Sequence, residues 1–294
     1  MINLNIHNKC NQRCIFCNTQ KLLTDKIWKE TTTKKILKKI KKNIEKSDTI
    51  NFTGGGEATL IKELPQLIKY AKLIGYKKIC IETNAMLFSY FSFLKKLKES
   101  GLNQVVVSLH SHNSEISDQI TQTIGGYDKT LKGIKNIHKL NIELIRIMHT
   151  INKYNYKDLK SFIKFSKNNL KVNNITLSFI RPINKDKLSL NATPQLSNIK
   201  KYITEALNYG NKKNVNITIS DTLGIPLCFL MGFEKNSLEY LNYKKIRNEI
   251  SEEIMNKYKK CKSIKCKKCM FTKLCSGISK EYSKLYGFSE LKPR

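Results

Sequence analysis

The stretch that decides the fold is Cys10-Asn11-Gln12-Arg13-Cys14-Ile15-Phe16-Cys17, directly after a short β-branched run at the amino end of the chain. Its cysteines have the spacing Cys-x3-Cys-x2-Cys. Three thiolates on one loop can ligate three irons of a 4Fe-4S cluster and leave the fourth iron open, whereas electron-carrying clusters normally have four protein thiolates. The loop therefore predicts a cluster with one free coordination position. A zinc site with three thiolates is the alternative.

Outward from this loop, short strand-like runs alternate with amphipathic helical stretches as far as about Ile180, a pattern typical of βα units. We predict strands at Asn3–Ile6, Thr49–Phe52, Lys78–Glu82, Gln104–Leu109, Ile142–Thr150 and Ile175–Ile180. We predict helices at Thr32–Glu45, Leu60–Leu73, Phe88–Glu99, Lys129–Leu140 and Lys157–Asn168, with Gly75 and Gly101 as helix-ending glycines. Right-handed crossovers then give a parallel sheet, and ligands collect at the carboxyl ends of its strands. The predicted fold class is α/β, a partial (β/α)6 TIM-like barrel.

A second module is expected after the sixth strand. Arg181-Pro182 closes that strand and Asn184–Pro194 is polar and irregular, so we place a boundary near residue 186, with domains at 1–185 and 186–294. The second domain is predicted to be a small α+β iron–sulfur extension. Its expected parts are a helix at Leu196–Tyr209 capped by Gly210, a strand at Val215–Ser220, a charged helix around Lys244–Lys260 and a cysteine-rich end.

The charge of the chain suggests polyanions only weakly. The formal net charge is +31, but only 5 of the 54 basic residues are arginine, the residue favoured for bidentate phosphate contacts. The lysines are spread over every predicted helix, so we favour a solvated surface over a nucleic-acid-binding face. There is no signal-peptide pattern and no apolar run near the roughly 18 residues of a membrane helix, which predicts a cytoplasmic protein without a membrane partner. In a reducing compartment, nine cysteines indicate metal ligands more than disulfides.

A glycine-rich motif follows the second predicted strand, with the sequence Thr53-Gly54-Gly55-Gly56-Glu57. Glycines let the backbone approach a ligand closely, and a carboxylate suits an ammonium group. An ordinary turn is the simpler alternative. Together, the cysteine loop, with the aromatic Phe16 before its last cysteine, and this motif resemble the signatures of radical S-adenosylmethionine (SAM) enzymes. The resemblance implies a SAM-binding 4Fe-4S cluster on Cys10, Cys14 and Cys17, and SAM contacts from Phe16 and from Gly54 to Glu57.

Further SAM contacts are implied by the same resemblance at three strand ends. Thr83-Asn84 is similar to a family Thr-Asn pair, Ser108 and His110 stand where the family places a polar contact, and Arg146 would hold the methionyl carboxylate. Small polar residues also cap strands for purely structural reasons. Two neighbouring residues receive structural predictions. We expect His112 on a solvated loop and Cys80 as a buried small hydrophobe.

The second cysteine group lies near the carboxyl end, and Cys266-x2-Cys269-x5-Cys275 resembles the core of the auxiliary-cluster extensions called SPASM or twitch domains. The group looks truncated, because Ser279 stands where a full SPASM domain has a further cysteine. We predict that Cys228, Cys266, Cys269 and Cys275 ligate a second 4Fe-4S cluster, with Cys261 as the runner-up ligand. Structural zinc is the alternative.

The resemblance implies an enzyme that reductively cleaves SAM to a 5'-deoxyadenosyl radical and abstracts hydrogen from a substrate. We predict a peptide or protein side chain as that substrate, with RNA modification or a small-molecule biosynthetic step as alternatives. A flavodoxin or ferredoxin would supply the electron, and a separate partner would supply leader binding. A two-cluster electron carrier and a zinc-containing RNA-binding protein are the alternatives from other classes. No individual catalytic side chain is assigned.

Overall fold

A computed structural model describes residues 2–17, 32–53, 55–183, 185–220, 224–246, 255 and 259–294. The chain divides into two compact units. The first comprises Met1–Leu109 and Asn113–Ile147, and the second comprises His110–His112 and Met148–Arg294. The predicted domain boundary near residue 186 stays a prediction.

The first unit is built from parallel strands and the helices between them. Its strands are β1 (Ile2–Asn5), β2 (Thr49–Thr53), β3 (Lys78–Thr83), β4 (Gln104–Ser108) and the start of β5 (Glu143–Ile151). Its helices are α1 (Thr33–Asn43), α2 (Leu64–Leu73), α3 (Phe91–Ser100), α4 (Ser114–Thr121) and α5 (Gly126–Lys139). Neighbouring strands from β1 to β4 pair in parallel.

The second unit contains the remaining strands and helices. Its strands are the end of β5, then β6 (Asn174–Phe179), β7 (Asn216–Ile219), β8 (Lys260–Cys261) and β9 (Ile278–Ser279). Its helices are α6 (Leu159–Asn168), α7 (Lys187–Ala192), α8 (Leu196–Lys212), α9 (Leu238–Ile246) and α10 (Lys280–Tyr286). Strands β6 and β7 are parallel, whereas β8 and β9 form a separate antiparallel pair.

Alternation along the strands of the first unit separates an aliphatic face from one that also carries polar residues. Ile50 and Phe52 on β2, like Val105 and Val107 on β4, are completely buried. The residues between them point to the other face, where Asn51 donates to Asn3 at 3.0 Å. Because side chains alternate with period two, the register that buries the aliphatic residues also lines up the polar ones. This second face is mixed, because Cys80 on β3 and Val106 on β4 share it with Asn51 and are buried.

The predicted α/β fold class and all six predicted strands are confirmed, with every bound within one residue of the predicted one. Strand order in the sheet follows chain order from β1 to β7. The strand expected at Val215–Ser220 was wrongly assigned to the appendage, because it extends this sheet as a seventh strand. Gly75 (φ +107°) and Gly101 (φ +122°) end their helices as predicted.

Two local predictions are wrong, and a third falls mostly on residues outside the described ranges. The supposedly irregular stretch before residue 194 contains α7, whose N-cap Asp186 accepts from the backbone N–H of Ser189 at 2.9 Å. Helix α8 continues through Gly210, where a Cβ would lie 2.5 Å from the Ile217 side chain. The charged helix expected around Lys244–Lys260 lies mostly outside the described residues, and Lys260 itself belongs to β8. In the part of the chain that the structure describes, no helix is long and apolar enough to cross a membrane.

Candidate cluster and cofactor site

The cysteine loop of the first unit is fixed by backbone hydrogen bonds to the end of α4. The N–H groups of Arg13 and Ile15 donate to the carbonyls of Thr121 and Ile120, each at 3.0 Å, and Ile15 is buried. Within the loop, the Cys17 N–H donates to the Cys14 carbonyl at 2.9 Å. These contacts hold the three thiols, all half-buried, on one short and well-anchored segment.

The environment of Cys10 favours the protonated thiol in the absence of a metal. Burial raises its pKa, and the negative charges of Glu57 and Cys17 raise it further, against hydrogen bonding from the Gln12 N–H. A bound cation reverses this balance because a metal ligates the thiolate. The site is therefore suited to a positively charged group.

The glycine loop after β2 is locked against the cysteine loop by its backbone. The Gly56 N–H donates to the His7 carbonyl at 3.0 Å, and the Glu57 N–H donates to the Lys9 carbonyl at 2.8 Å. A Cβ on Gly56 would lie 2.1 Å from that Lys9 oxygen, so only glycine permits this approach. Gly55 is described next to it, and Gly54 lies outside the described residues.

The Glu57 carboxylate, only 3% exposed, is surrounded by donors from its own unit. Oε1 accepts from the hydroxyls of Thr59 and Thr83, both at 2.6 Å, and from the Thr59 N–H at 3.2 Å. Oε2 accepts from the Asn84 N–H at 2.8 Å. A carboxylate has about four lone-pair sites, and four donors already point at this one. Glu57 thus joins the loops after β2 and β3, and its contact with SAM stays a prediction.

The Thr83-Asn84 pair completes this arrangement by reaching the cysteine loop. The Asn84 side-chain amide donates to Asn11 Oδ1 at 2.7 Å, and Asn84 Oδ1 accepts from the Met86 N–H at 3.0 Å. The Asn84 carbonyl accepts from the Thr130 hydroxyl on α5 at 2.8 Å. The loops after β1, β2 and β3 are therefore one hydrogen-bonded assembly, which brings Glu57, Thr83 and Asn84 close to the cysteine loop.

The second unit holds the other cysteine group around a cavity of about 350 Å³. Its lining includes Cys228, Cys266, Cys269 and Cys275 together with apolar residues such as Phe271 and Leu291. Burial raises the pKa of Cys275 to about 12, and burial followed by the charges of Cys266 and Cys269 raises that of Cys228. The thiols surround a space and do not converge on a point. Among the described residues, no three Cys, His, Asp or Glu side chains are placed to hold a single metal ion.

Cys261 stands apart from this cavity. Its thiol donates to the Ser283 hydroxyl at 3.4 Å, and it is absent from the residues that line the cavity. The four-cysteine set expected from the sequence is thus the set that shares a space.

The sequence-family model described as "Radical SAM superfamily" matches residues 4–166, which is more than half of the chain. The chain belongs to the radical SAM superfamily. A curated relative from Saccharolobus islandicus (strain Y.N.15.51 / Yellowstone #2), "Probable GTP 3',8-cyclase", is 28% identical over 202 residues, covering 69% of this chain and 64% of the relative. A relative of the same name from Sulfurisphaera tokodaii is 30% identical, covering 67% of this chain and 61% of the relative. The chain thus spans less than two thirds of these relatives' length.

The solved structures that resemble this radical SAM protein support its fold. "Native anSMEcpe with bound AdoMet and Kp18Cys peptide" has a TM-score of 0.65 at 15% identity and covers 95% of this chain and 88% of that chain. "Crystal structure of Streptococcus suis SuiB bound to S-adenosylmethionine" has a TM-score of 0.61 at 15% identity and covers 94% of this chain and 71% of that one. These likenesses support the expected partial-barrel fold for this member of the radical SAM superfamily.

The residues present in the first unit fit the 4Fe-4S cluster expected from the sequence, because three thiols on one anchored loop can ligate three irons. The cavity in the second unit brings four thiols together with an apolar wall. Which SAM contacts Phe16, Gly55, Gly56, Ser108 and Arg146 make stays a prediction.

His110 has a structural role in the second unit. Its Nδ1 accepts from the Thr150 N–H at 3.1 Å, and its carbonyl accepts from the Asn155 side chain at 2.8 Å. The ring lies 6.3 Å from that of His149, and burial lowers the pKa of His110 to about 4. It is therefore neutral at physiological pH, with the proton assigned to Nε2 by the hydrogen bond. The predicted SAM contact of His110 stays untested.

Two other predictions near the strands have clear outcomes. Cys80 is completely buried, as predicted, and burial raises its pKa to about 12. His112 lies on a loop as predicted, but it is half-buried and not fully solvated, with its ring 6.2 Å from that of Phe165.

One polar group of the first unit, the Glu82 carboxylate, was not predicted from the sequence. The Glu82 carboxylate on β3 accepts from the Thr53 hydroxyl at 3.2 Å. Burial raises the pKa of Glu82, while the Thr53 hydrogen bond and the charge of Arg146 lower it. Arg146 therefore has a carboxylate neighbour within its own unit. The sequence signal for this group is an acid that directly follows the apolar residues 79–81 of β3.

Proposed function

We propose that this radical SAM enzyme abstracts hydrogen from a peptide or protein side chain and leaves it oxidised, with a second 4Fe-4S cluster in the four-cysteine cavity. The observation that carries the proposal is the pairing of two differently built thiol sets. The first has three thiols on one loop, whereas the second has four thiols around one cavity.

In the first site, Cys10, Cys14 and Cys17 would hold the SAM-binding cluster. When bound, the cluster and SAM supply a 5'-deoxyadenosyl radical by reductive cleavage. The chain's own contribution is orientation. Glu57 and Asn84 tie the loops after β2 and β3 to the cysteine loop through buried hydrogen bonds. Such preorganisation fixes the ligand geometry before the substrate arrives.

In the second site, four thiolates would ligate the auxiliary cluster completely. A fully thiolate-ligated cluster has no open iron, so it suits electron transfer and not substrate chelation. An electron acceptor of this kind favours net oxidation of the substrate. The position of Cys261, whose thiol contacts Ser283, supports its exclusion from the ligand set.

We prefer a peptide or protein substrate because a cluster that accepts electrons favours net oxidation of a side chain. A peptide substrate would engage a separate leader-binding partner, and a flavodoxin or ferredoxin would be the reductant. A nucleotide is the second candidate, favoured by the names of the curated relatives.

Two pairs of variants test the two clusters. Cys14→Ala should abolish 5'-deoxyadenosine formation in the dithionite-reduced protein, whereas the buried Cys80→Ala should retain it. Cys269→Ala should lose about four of roughly eight irons and keep uncoupled SAM cleavage. Cys261→Ala should keep all of its iron. Retained deoxyadenosine formation in Cys14→Ala, or full iron in Cys269→Ala, would contradict the assignments.

The substrate is tested by mass spectrometry of products formed with GTP and with short peptides encoded beside the gene. A peptide that loses two hydrogens supports the proposal. A cyclised nucleotide from GTP refutes it in favour of the second candidate.

A further inference from the structure

A second cavity in the second unit, of about 310 Å³, lies at the carboxyl end of β6. Most of its wall is apolar, and its lining residues include Phe179, Leu196, Pro226, Ile278 and Tyr282. Two cationic residues, Arg181 and Lys260, also line it, and no cysteine does. This cavity shares Pro226 with the four-cysteine cavity but has a different chemistry, because cations and no cysteines line it.

Lys260 is 6% exposed, which is rare for a lysine without a partner. It lies on β8, whose pairing with β9 places Lys260 opposite Ser279. Within the described ranges, neither the Lys260 ammonium nor the Arg181 guanidinium donates a hydrogen bond to a protein acceptor. A buried cation costs free energy unless an anion and hydrogen bonds compensate it. The donors of both residues are thus available to a ligand in the cavity.

Several described groups act on the charge of Lys260. Burial and the charge of Arg181 lower its pKa, whereas the charges of Glu239, Cys275 and Cys261 raise it. One Glu239 oxygen is already used, because it accepts from the Ser276 N–H at 3.1 Å. Tyr282 is also committed, since its hydroxyl donates to Glu290 and accepts from the Leu196 N–H. Counted over the two described cations and the one described carboxylate alone, the net charge is one positive charge, which matches a monoanion.

We propose that this cavity binds a carboxylate carried on an apolar group of the substrate, with Arg181 and Lys260 as its ligands. The planar fork of arginine suits the two oxygens of a carboxylate, and the apolar wall suits the carbon chain behind them. A phosphate dianion would leave an excess of negative charge in a buried space. The inference rests on the proposed function only in assigning the carboxylate to the substrate, because binding itself needs no radical chemistry.

The test measures binding of butyrate to the reconstituted holoprotein by NMR titration, with inorganic phosphate as the second probe. We expect a butyrate dissociation constant on the order of 1 mM, as befits so small a ligand. Arg181→Gln and Lys260→Met should each weaken butyrate binding at least about tenfold, the effect of losing one charged hydrogen bond. Arg181→Lys should restore part of it. Lys200→Met, on an exposed position of α8, is the matched control and should bind like the wild type.

Other outcomes overturn the inference. Butyrate binding that survives both Arg181→Gln and Lys260→Met would show that these two residues do not form the site. Tighter binding of phosphate than of butyrate would show that the site is not specific for a carboxylate. A tenfold loss of SAM affinity in Arg181→Gln would assign the carboxylate to SAM and not to the substrate. The iron content of each variant shows whether it folds. If Lys260→Met fails to fold, the test relies on Arg181→Gln, because Arg181 is only half-buried. Loss of butyrate binding with intact deoxyadenosine formation separates this inference from the radical chemistry.

Discussion

Replacing His110 by asparagine should flatten the pH dependence of stability between pH 8 and pH 5.5. Burial lowers the pKa of this histidine from 6.5 to about 4, so the unfolded chain binds a proton more readily than the folded one. Its stabilising contribution is full above pH 6.5 and is lost as the pH falls toward 4. At about 1.4 kcal/mol per pKa unit, the whole effect is about 3.5 kcal/mol, of which about 1.4 kcal/mol is lost by pH 5.5.

The assay is urea denaturation of the wild type and His110→Asn at pH 8, 7, 6 and 5.5, followed by circular dichroism. Asparagine keeps an acceptor for the Thr150 N–H but does not titrate. The wild type should therefore lose about 1.4 kcal/mol more than the variant over this range. The exposed His138→Asn is the matched control. Equal pH slopes for the wild type and His110→Asn would refute the reasoning, because acid sensitivity would then arise elsewhere.

Two further predictions concern single contacts. Gly56→Ala should prevent the glycine loop from docking, since its Cβ would lie 2.1 Å from the Lys9 carbonyl. We expect the free energy of unfolding to fall by about 2–4 kcal/mol and the reconstituted protein to lose about four irons. Normal iron content would contradict this. Tyr282→Phe removes the hydroxyl between Glu290 and the Leu196 N–H, and should cost about 2 kcal/mol in urea denaturation. A loss below that of Tyr286→Phe, which removes one hydrogen bond to a carbonyl, would show that this hydroxyl matters little.

The sequence predicted the features that local chemistry determines. The cysteine loop follows β1, the glycine loop follows β2, and Gly75 and Gly101 end helices in the left-handed region. Each of these follows from spacing, hydrophobic period or backbone freedom within about ten residues. Such signals locate the parts of the site, although they do not say which part contacts which.

Long-range pairing is what the sequence left open. Strand β7 has the same pattern whether it joins the main sheet or a separate module, and only its pairing with β6 decides. Glu57 likewise looked like a free carboxylate, because its partners Thr83 and Asn84 lie 26 and 27 residues away. Periodicity does not encode such contacts, so a residue chosen for ligand chemistry can turn out to hold loops together.

The charge of the chain illustrates the same limit and bears on function. A net charge of +31 suggested polyanions, but exposed lysines are hydrated and screened over about 8 Å at physiological salt. Among the described residues, Lys260 is the only buried lysine. A cation withdrawn from water can discriminate between ligands, because an anion that enters its cavity is not competing with a full hydration shell. Selectivity for an acidic substrate group therefore depends on where two cations lie, and not on how many the chain carries.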